Sequence, residues 1–193
     1  MTDIRITVAG ASGRMGRTLI RAIAENPDMR LAFALERPGH GELGKDAGVL
    51  AGLPQNGIAV TDDSLAALAA SDAVLDFTTP AASVPLSELA AQARIVHVIG
   101  TTGFSDDELA RLKASARHAV IVKSGNMSLG VNVLAALVRE AAKALPGYDV
   151  EILEMHHRMK TDAPCLQSIR RSLHRNEATM RRARLCIQPV TFI

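Results

Sequence analysis

The sequence predicts an α/β fold in which a doubly wound parallel sheet is followed by the start of an incomplete second α+β domain. From Ile4 to Val122, short apolar runs of strand length alternate with stretches of helical periodicity. A glycine-rich turn joins the first apolar run to the first helical stretch. Near residue 150 the pattern changes to alternating acidic and apolar residues, which is typical of a half-buried strand in a different sheet.

The glycine-rich turn lies between a predicted strand, Ile4–Ala9, and a predicted helix, Arg14–Glu25. In a Rossmann-like sheet, such a turn and the helix N-terminus behind it bind a pyrophosphate. We predict that Gly10 allows the tight turn, Gly13 the approach of the pyrophosphate and Gly16 the packing of helix on strand. The spacing G-x-x-G-x-x-G departs from G-x-G-x-x-G, and the alternative is a plain turn whose glycines relieve strain.

The second predicted strand, Arg30–Leu35, ends in the charged pair Glu36-Arg37. In this fold an acidic residue about 20 positions beyond the turn binds the ribose 2′-hydroxyl of NAD, and a nearby arginine accommodates the 2′-phosphate of NADP. Because the chain carries both, the sequence predicts NADH or NADPH as cofactor without ranking them. The alternative is an exposed charged pair that closes the strand.

The rest of the first domain follows the same alternation. Pro38–Gly57, with six glycines and two prolines, predicts a long loop with room for one helical turn. Further strands are predicted at Ile58–Val60, Ala73–Phe77, Ile95–Ile99 and Ala119–Val122, and helices at Ser64–Ala70, Ala81–Ala93 and Asp106–Arg117. Ser105 and Glu108 form a capping box before the last helix. The alternation predicts right-handed crossovers between parallel strands.

The segment Gly100-Thr101-Thr102-Gly103 follows a predicted strand directly. Small hydroxyl residues and glycines at the carboxyl end of a strand belong to the ligand crevice of an open α/β sheet. The alternative is that they only form a turn.

A long helix is predicted from Leu129 to Pro146, and a strand at Asp149–Glu154. The histidines and lysine of interest, His156, His157 and Lys160, follow at once. Reduction by a nicotinamide cofactor needs a proton donor from the protein, which histidine supplies near neutral pH, and a lysine holds an anionic substrate. A zinc site and a solvated polar loop are the alternatives. Adjacent histidines point in different directions and neither cysteine has finger-like spacing, so no metal is predicted.

Six segments together resemble one family over residues 1–164. They are G-A-S-G-R-M-G at 10–16, L-E-R at 35–37, D-F-T at 76–78, I-G-T-T-G-F at 99–104, N-M-S-L-G-V-N at 126–132 and E-M-H-H-R-M-K-T-D-A-P at 154–164. They resemble dihydrodipicolinate reductase, also called 4-hydroxy-tetrahydrodipicolinate reductase. The resemblance implies an enzyme of the diaminopimelate route to lysine, which reduces a cyclic dicarboxylic acid with NADH or NADPH and forms a homotetramer.

The resemblance also implies roles for single residues. His156 is implied as the proton donor and acceptor, Lys160 as the second proton donor and His157 as a substrate contact. The implied cofactor contacts are Gly10, Ala11, Ser12, Gly13, Arg14, Met15, Glu36, Arg37, Gly100, Thr101, Thr102, Ser124, Gly125, Asn126 and Met127.

The resemblance stops after Pro164, where Cys165-Leu166-Gln167 replace the family's Ser-Gly-Thr, a substrate-carboxylate site. Residues 165–193 hold both cysteines, six arginines, no lysine and one acid, so they carry +5; since the chain carries +2, residues 1–164 carry −3. We predict a dinucleotide-binding domain at 1–127, the start of a substrate domain at 128–164, and a disordered basic tail without strands at 165–193. A shifted reading frame or truncated gene would explain the change, and we expect weak or absent activity and no native tetramer.

The composition and the N-terminal residues limit the partners and the cellular location that we predict. The N-terminus lacks the basic and apolar regions of a signal peptide, and Asp72 and Asp76 interrupt the best candidate for a membrane span, so we expect a cytoplasmic protein. Two cysteines do not form a disulfide framework. The arginine-rich tail leaves nucleic-acid binding as an alternative, but one tyrosine and no tryptophan offer little base stacking. We predict a small-molecule substrate, no membrane and no nucleic acid.

Overall fold

The computed structural model describes residues 3–125, 127–145 and 148, together with the backbone of residues 151–154 and 184–187. It consists of two compact units, residues 1–125 and 126–193. This division lies close to the predicted boundary after Met127. The first unit carries most of the predicted cofactor contacts.

The first unit is a six-stranded, all-parallel sheet with helices between its strands. The strands are β1 (Ile4–Ala9), β2 (Met29–Leu35), β3 (Val60–Thr61), β4 (Ala73–Asp76), β5 (Val96–Ile99) and β6 (Ile121–Lys123). The helices are α1 (Arg14–Ala24), α2 (Ala47–Leu50), α3 (Ser64–Ala69), α4 (Pro80–Ala93) and α5 (Asp106–Ser115). The strand order β3-β2-β1-β4-β5-β6 is that of the doubly wound fold, so the predicted fold is confirmed. The direction in which successive strands are added to the sheet reverses between β1 and β4.

Alternate residues of β1 are buried on opposite faces of the sheet. Ile6 and Val8 belong to one apolar cluster together with Ile20 of α1. Ala9 belongs to a second cluster, together with Leu86 of α4. In β1 the apolar residues Ile4, Ile6 and Val8 alternate with Arg5 and Thr7, and this period of two is what marks the strand in the sequence.

Side-chain caps set the starts of α2, α3 and α5, whereas α1 and α4 have none. Asp63 accepts a hydrogen bond from the Ala66 amide (2.9 Å) and starts α3. The predicted capping box is confirmed, because the Ser105 amide donates to Glu108 (2.8 Å) and the Glu108 amide donates to the Ser105 hydroxyl (3.3 Å). By contrast, α1 starts at Gly13 without a side-chain cap, so the first amides of this helix depend on other partners.

The second unit contains α6 (Leu129–Ala144), β7 (Glu151–Glu154) and β8 (Arg184–Ile187). Strands β7 and β8 pair in parallel as a separate two-stranded sheet, which confirms the predicted strand of a different sheet. The prediction that the tail contains no strand is wrong at Arg184–Ile187. Leu185, Cys186 and Ile187 form a short apolar run of strand length, which the arginine-rich composition around it concealed.

Several strand boundaries differ from the prediction by one or two residues, most clearly at β3 and β6. β3 begins at Val60 rather than Ile58, and Ala59 forms an isolated antiparallel bridge with Asp46 instead. β6 extends to Lys123. Within the described part of the chain, no helix is long and apolar enough to cross a membrane.

Candidate functional site

The predicted cofactor contacts of the first unit lie at the carboxyl ends of four strands. Gly10, Ala11, Ser12, Gly13, Arg14 and Met15 follow β1, Glu36 and Arg37 follow β2, Gly100, Thr101 and Thr102 follow β5, and Ser124 and Gly125 follow β6. Because the sheet is parallel, these segments share one edge of it. Met127 belongs to the second unit, and Asn126 lies outside the described residues.

The glycine-rich turn is a tight loop with no space for a side chain at Gly10 or Gly16. Gly10 has φ +66°, a left-handed conformation that glycine adopts without strain, and its carbonyl oxygen accepts a hydrogen bond from the Gly13 amide (3.0 Å). A Cβ on Gly16 would collide with that same carbonyl and lie 2.7 Å from the Ala11 Cα. The turn and α1 are therefore in direct backbone contact. The predicted turn conformation of Gly10 is confirmed, whereas the close packing at Gly16 is made against the turn rather than against the strand.

The N-terminus of α1 is not capped by side chains of its own. Its first turn contains no Asp or Glu, and Gly13 supplies no side-chain cap. The Ser12 hydroxyl oxygen is buried and has no hydrogen-bond partner among the described residues. The Arg17 side chain stabilises the turn by donating a hydrogen bond to the Ser12 carbonyl (2.8 Å). Uncapped amides, the helix dipole and an unpaired hydroxyl together favour an anionic group above the turn.

Glu36, at the end of β2, is fixed beside this turn. Its Oε1 accepts a hydrogen bond from the Ser12 amide (3.0 Å), and its Oε2 accepts a longer one from the Arg37 amide (3.3 Å). The Leu35 carbonyl accepts from the Ala11 amide (3.1 Å), so the backbones of the two segments are also joined. The Arg37 side chain is exposed and has no ion-pair partner in the described part of the chain.

A cleft of about 370 Å³ opens beside Glu36. Gly10, Glu36 and Thr78 border it, as does Arg37. Its apolar wall comes from α4, through Ala82, Pro85, Leu86 and Leu89. An apolar cleft with polar groups at one side is the usual form of a small-molecule site.

Asp76, the last residue of β4, is the centre of a buried polar network that the sequence analysis did not predict. Its Oδ1 accepts hydrogen bonds from the Thr78 amide (2.9 Å) and hydroxyl (2.6 Å). Its Oδ2 lies 3.2 Å from His97 Nε2, and His97 Nδ1 lies 2.9 Å from the Ser87 hydroxyl. Asp76, Ser87 and His97 are fully buried. A carboxylate only accepts hydrogen bonds, so Nε2 of His97 carries a proton.

The hydrogen bonds to Asp76 keep it ionised despite its burial. Burial by itself raises the pKa of Asp76, but the hydrogen bonds from His97 and Thr78, together with the nearby Ser83 side chain, outweigh it, so the pKa lies below the ordinary value. The Ser83 hydroxyl is also hydrogen-bonded to the Thr101 hydroxyl (3.0 Å). The network thus extends to one of the predicted cofactor contacts.

Ser87, His97 and Asp76 have the residue types of a nucleophilic catalytic triad. Their burial excludes nucleophilic catalysis. A nucleophilic serine must reach a substrate carbonyl, and the Ser87 side chain has no exposed surface. One sequence signal pointed to the network. Asp76 and His97 are polar residues within apolar strands. Ser83 and Ser87 are one helical turn apart on α4.

The predicted acid–base residues His156, His157 and Lys160 lie outside the described residues. Among the residues that the structure does describe, no group of three or more His, Cys, Asp or Glu side chains forms a candidate metal site.

Two family models match the chain. The model described as dihydrodipicolinate reductase, N-terminus, matches residues 4–127, and the model described as dihydrodipicolinate reductase, C-terminus, matches residues 130–179. The second match continues beyond Pro164, into the segment predicted to be an unrelated tail. A curated relative from Sinorhizobium medicae, 4-hydroxy-tetrahydrodipicolinate reductase, is 60% identical over 165 residues, which are 84% of this chain and 61% of the relative. The chain thus spans about three fifths of the length of the curated relatives it matches.

Solved structures support the same fold. Dipicolinate-bound dihydrodipicolinate reductase from Paenisporosarcina sp. TG-14 aligns with a TM-score of 0.68 and 23% identity, over 97% of this chain and 80% of that chain. GenD2 from gentamicin A biosynthesis, in complex with NAD, aligns with a TM-score of 0.60 and 21% identity, over 80% of this chain and 44% of that chain. At these identities the likeness concerns the fold.

Proposed function

Because the chain belongs to the dihydrodipicolinate reductase family, we propose that it serves in the reduction of 4-hydroxy-tetrahydrodipicolinate to tetrahydrodipicolinate by NADH or NADPH, in the diaminopimelate route to lysine. The observation that carries this proposal is the bond between the Glu36 carboxylate and the Ser12 amide beside an uncapped helix N-terminus. This bond supports the proposal because it brings a carboxylate suited to ribose hydroxyls close to a helix N-terminus suited to a phosphate. We propose that the reaction takes place in the cytoplasm.

The residues of the glycine-rich turn fit the pyrophosphate of a nicotinamide dinucleotide. A side chain on Gly16 would fill the contact between helix and turn, and the Ser12 hydroxyl is available for a phosphate oxygen. We assign Gly10 to Met15 to the pyrophosphate, and the apolar cleft along α4 to the adenosine. Gly100 to Thr102 and Ser124 to Met127 are assigned to the nicotinamide half.

Proton transfer is assigned to residues of the second unit. When bound, the reduced nicotinamide supplies the hydride, and the protein must supply the proton. His156 is proposed to donate this proton, since histidine titrates near neutral pH, with Lys160 as a second donor. His157 is proposed to contact the substrate. A lysine and histidines also attract the two carboxylates of the substrate.

Both reduced dinucleotides are proposed as cofactors. The Glu36 carboxylate suits the 2′-hydroxyl of NADH, whereas the exposed Arg37 guanidinium suits the 2′-phosphate of NADPH. The Glu36 side chain is hydrogen-bonded to the Ser12 amide, and Arg37 forms no ion pair with an acid in the described part of the chain. The arginine is therefore able to move toward a phosphate.

A second candidate function is dinucleotide binding without hydride transfer. The glycine-rich turn, Glu36 and the cleft all lie within residues 1–125, a compact unit that contains none of the proposed proton donors. Binding is therefore separable from catalysis in this chain.

One experiment on the full chain decides between these functions. The dissociation constants of NADH and NADPH are measured by calorimetry, and cofactor oxidation is then followed by absorbance with 4-hydroxy-tetrahydrodipicolinate. Binding together with substrate-dependent oxidation supports the reductase. Binding without oxidation supports the second candidate, and absence of binding contradicts both.

A further inference from the structure

The Asp76 carboxylate is hydrogen-bonded to the turn that follows β4. It accepts two hydrogen bonds from Thr78, from the amide at 2.9 Å and from the hydroxyl at 2.6 Å. The Thr78 methyl carbon Cγ2 lies only 2.9 Å from the position that a Cβ on Gly10 would take. Thr78 therefore packs against the glycine-rich turn, and it also borders the cleft beside Glu36. Its position along the cleft depends on the two bonds to Asp76.

A second branch of the same network reaches the end of β5. The Ser83 side chain lies near Asp76 and helps to lower its pKa, and its hydroxyl donates a 3.0 Å hydrogen bond to that of Thr101, which is 4% exposed. His97 pairs in register with Val74, so it lies on the same face of the sheet as Asp76 and reaches its Oδ2. The Ser87 hydroxyl fixes the other nitrogen of the His97 ring.

We propose that the buried pair Asp76 and His97 positions the dinucleotide site, by fixing Thr78 against the glycine-rich turn and Thr101 at the end of β5. This inference rests on the proposed cofactor site at that edge. A buried carboxylate is costly unless it is fully hydrogen-bonded, so a change at any of its donors disturbs the others. The turns after β4 and β5, which are proposed to contact the cofactor, are thereby both held in position by Asp76.

The chain offers a matched control for a purely structural role. Thr7 on β1 is also fully buried, and its hydroxyl lies 2.7 Å from that of Ser71. This pair is hydrogen-bonded to the Ala67 carbonyl of α3 and not to a turn at the carboxyl edge. Thr7→Val therefore removes a buried hydrogen bond of the same sheet without loosening Thr78 or Thr101.

The test measures the dissociation constants of NADH and NADPH, and the thermal midpoint, for the full chain and four variants. We expect His97→Leu, which removes the donor to Asp76, to raise both dissociation constants about tenfold, and Ser83→Ala about threefold. His97→Gln retains an N–H donor and is expected to stay within about twofold of the wild type. Thr7→Val is expected to lower the thermal midpoint and leave both dissociation constants unchanged.

The outcomes separate this inference from the proposed function. If His97→Leu lowers the midpoint as Thr7→Val does but binds both cofactors like the wild type, the pair is structural only and the inference is overturned. Should His97→Leu fail to fold, Ser83→Ala decides, and unchanged affinity in that variant also overturns it. A folded wild-type chain that binds neither dinucleotide overturns the proposed function, and this inference with it.

Discussion

The Ser12 amide in the glycine-rich turn donates a 3.0 Å hydrogen bond to the Glu36 carboxylate at the end of the neighbouring strand. The side chain proposed to distinguish between the two ribose forms is thus held by the same turn that is proposed to face the pyrophosphate. Binding loses less conformational entropy when such a group is already in place. Affinity and cofactor choice are therefore coupled at this pair.

Replacing Glu36 by glutamine is expected to shift the chain toward NADPH. The glutamine side chain would keep an oxygen acceptor for the Ser12 amide but lose the negative charge near a 2′-phosphate. We expect the ratio of the NADH to the NADPH dissociation constant to rise about 5- to 10-fold, measured by calorimetry. Glu25→Gln, at the end of α1, is the charge-matched control. An unchanged ratio in Glu36→Gln would contradict the assignment of Glu36 to the ribose.

Gly16→Ala is expected to destabilise the first unit. The added methyl group would collide with the Gly10 carbonyl and the Ala11 backbone, and backbone atoms cannot move aside as a flexible side chain can. We expect a loss of about 1–3 kcal/mol in the free energy of unfolding, together with weaker dinucleotide binding. Gly41→Ala, where a Cβ meets nothing within 4 Å, is the control and should be close to neutral. Equal stability of the two variants would show that α1 does not need this close contact.

The ion pair between Arg5 and Asp72 is expected to contribute to stability only above acidic pH. Hydrogen bonds from the Arg5 side chain and amide lower the pKa of Asp72 to about 2. The unfolded-state pKa is about 3.9, so this contribution is complete above that value and is lost as the pH falls toward 2. Thermal midpoints of wild type and Asp72→Asn should therefore converge on acidification.

The control for this effect is Asp28→Asn, which changes an exposed carboxylate with no ion pair in the described part of the chain. Its difference from the wild type should vary less with pH. Because Arg5 and Asp72 are 40% and 44% exposed, added salt should shrink the Asp72→Asn difference. A difference that stays constant from neutral to acidic pH would contradict the ion-pair explanation.

Periodicity and turn chemistry predicted the first unit well. β1 has the predicted bounds, Ile4–Ala9, because its apolar run is bounded by a charged residue and a glycine. The capping box at Ser105 was also predictable, since both of its hydrogen bonds join residues three apart in sequence. Local signals of this kind do not depend on the rest of the fold.

The Asp76–His97 pair was not predictable in the same way. Its partners are 21 residues apart, and they meet only because β4 and β5 are neighbours in the register that pairs Val74 with His97. β8 was missed for a similar reason, since its pairing with β7 joins residues 33 positions apart. Strand register is a tertiary property, and apolar alternation alone does not specify it.

His156→Gln is expected to separate catalysis from cofactor binding. If His156 donates the proton, its loss should lower kcat by about 10²- to 10⁴-fold in a chain that oxidises NADPH with substrate. The dissociation constant of NADPH should not change, because the proposed pyrophosphate turn and adenosine cleft are built from other residues. Stopped-assay turnover and calorimetry on the same preparation check both expectations. His118→Gln, at an exposed histidine, is the control, and a His156→Gln chain with wild-type kcat would remove His156 from the proposed role.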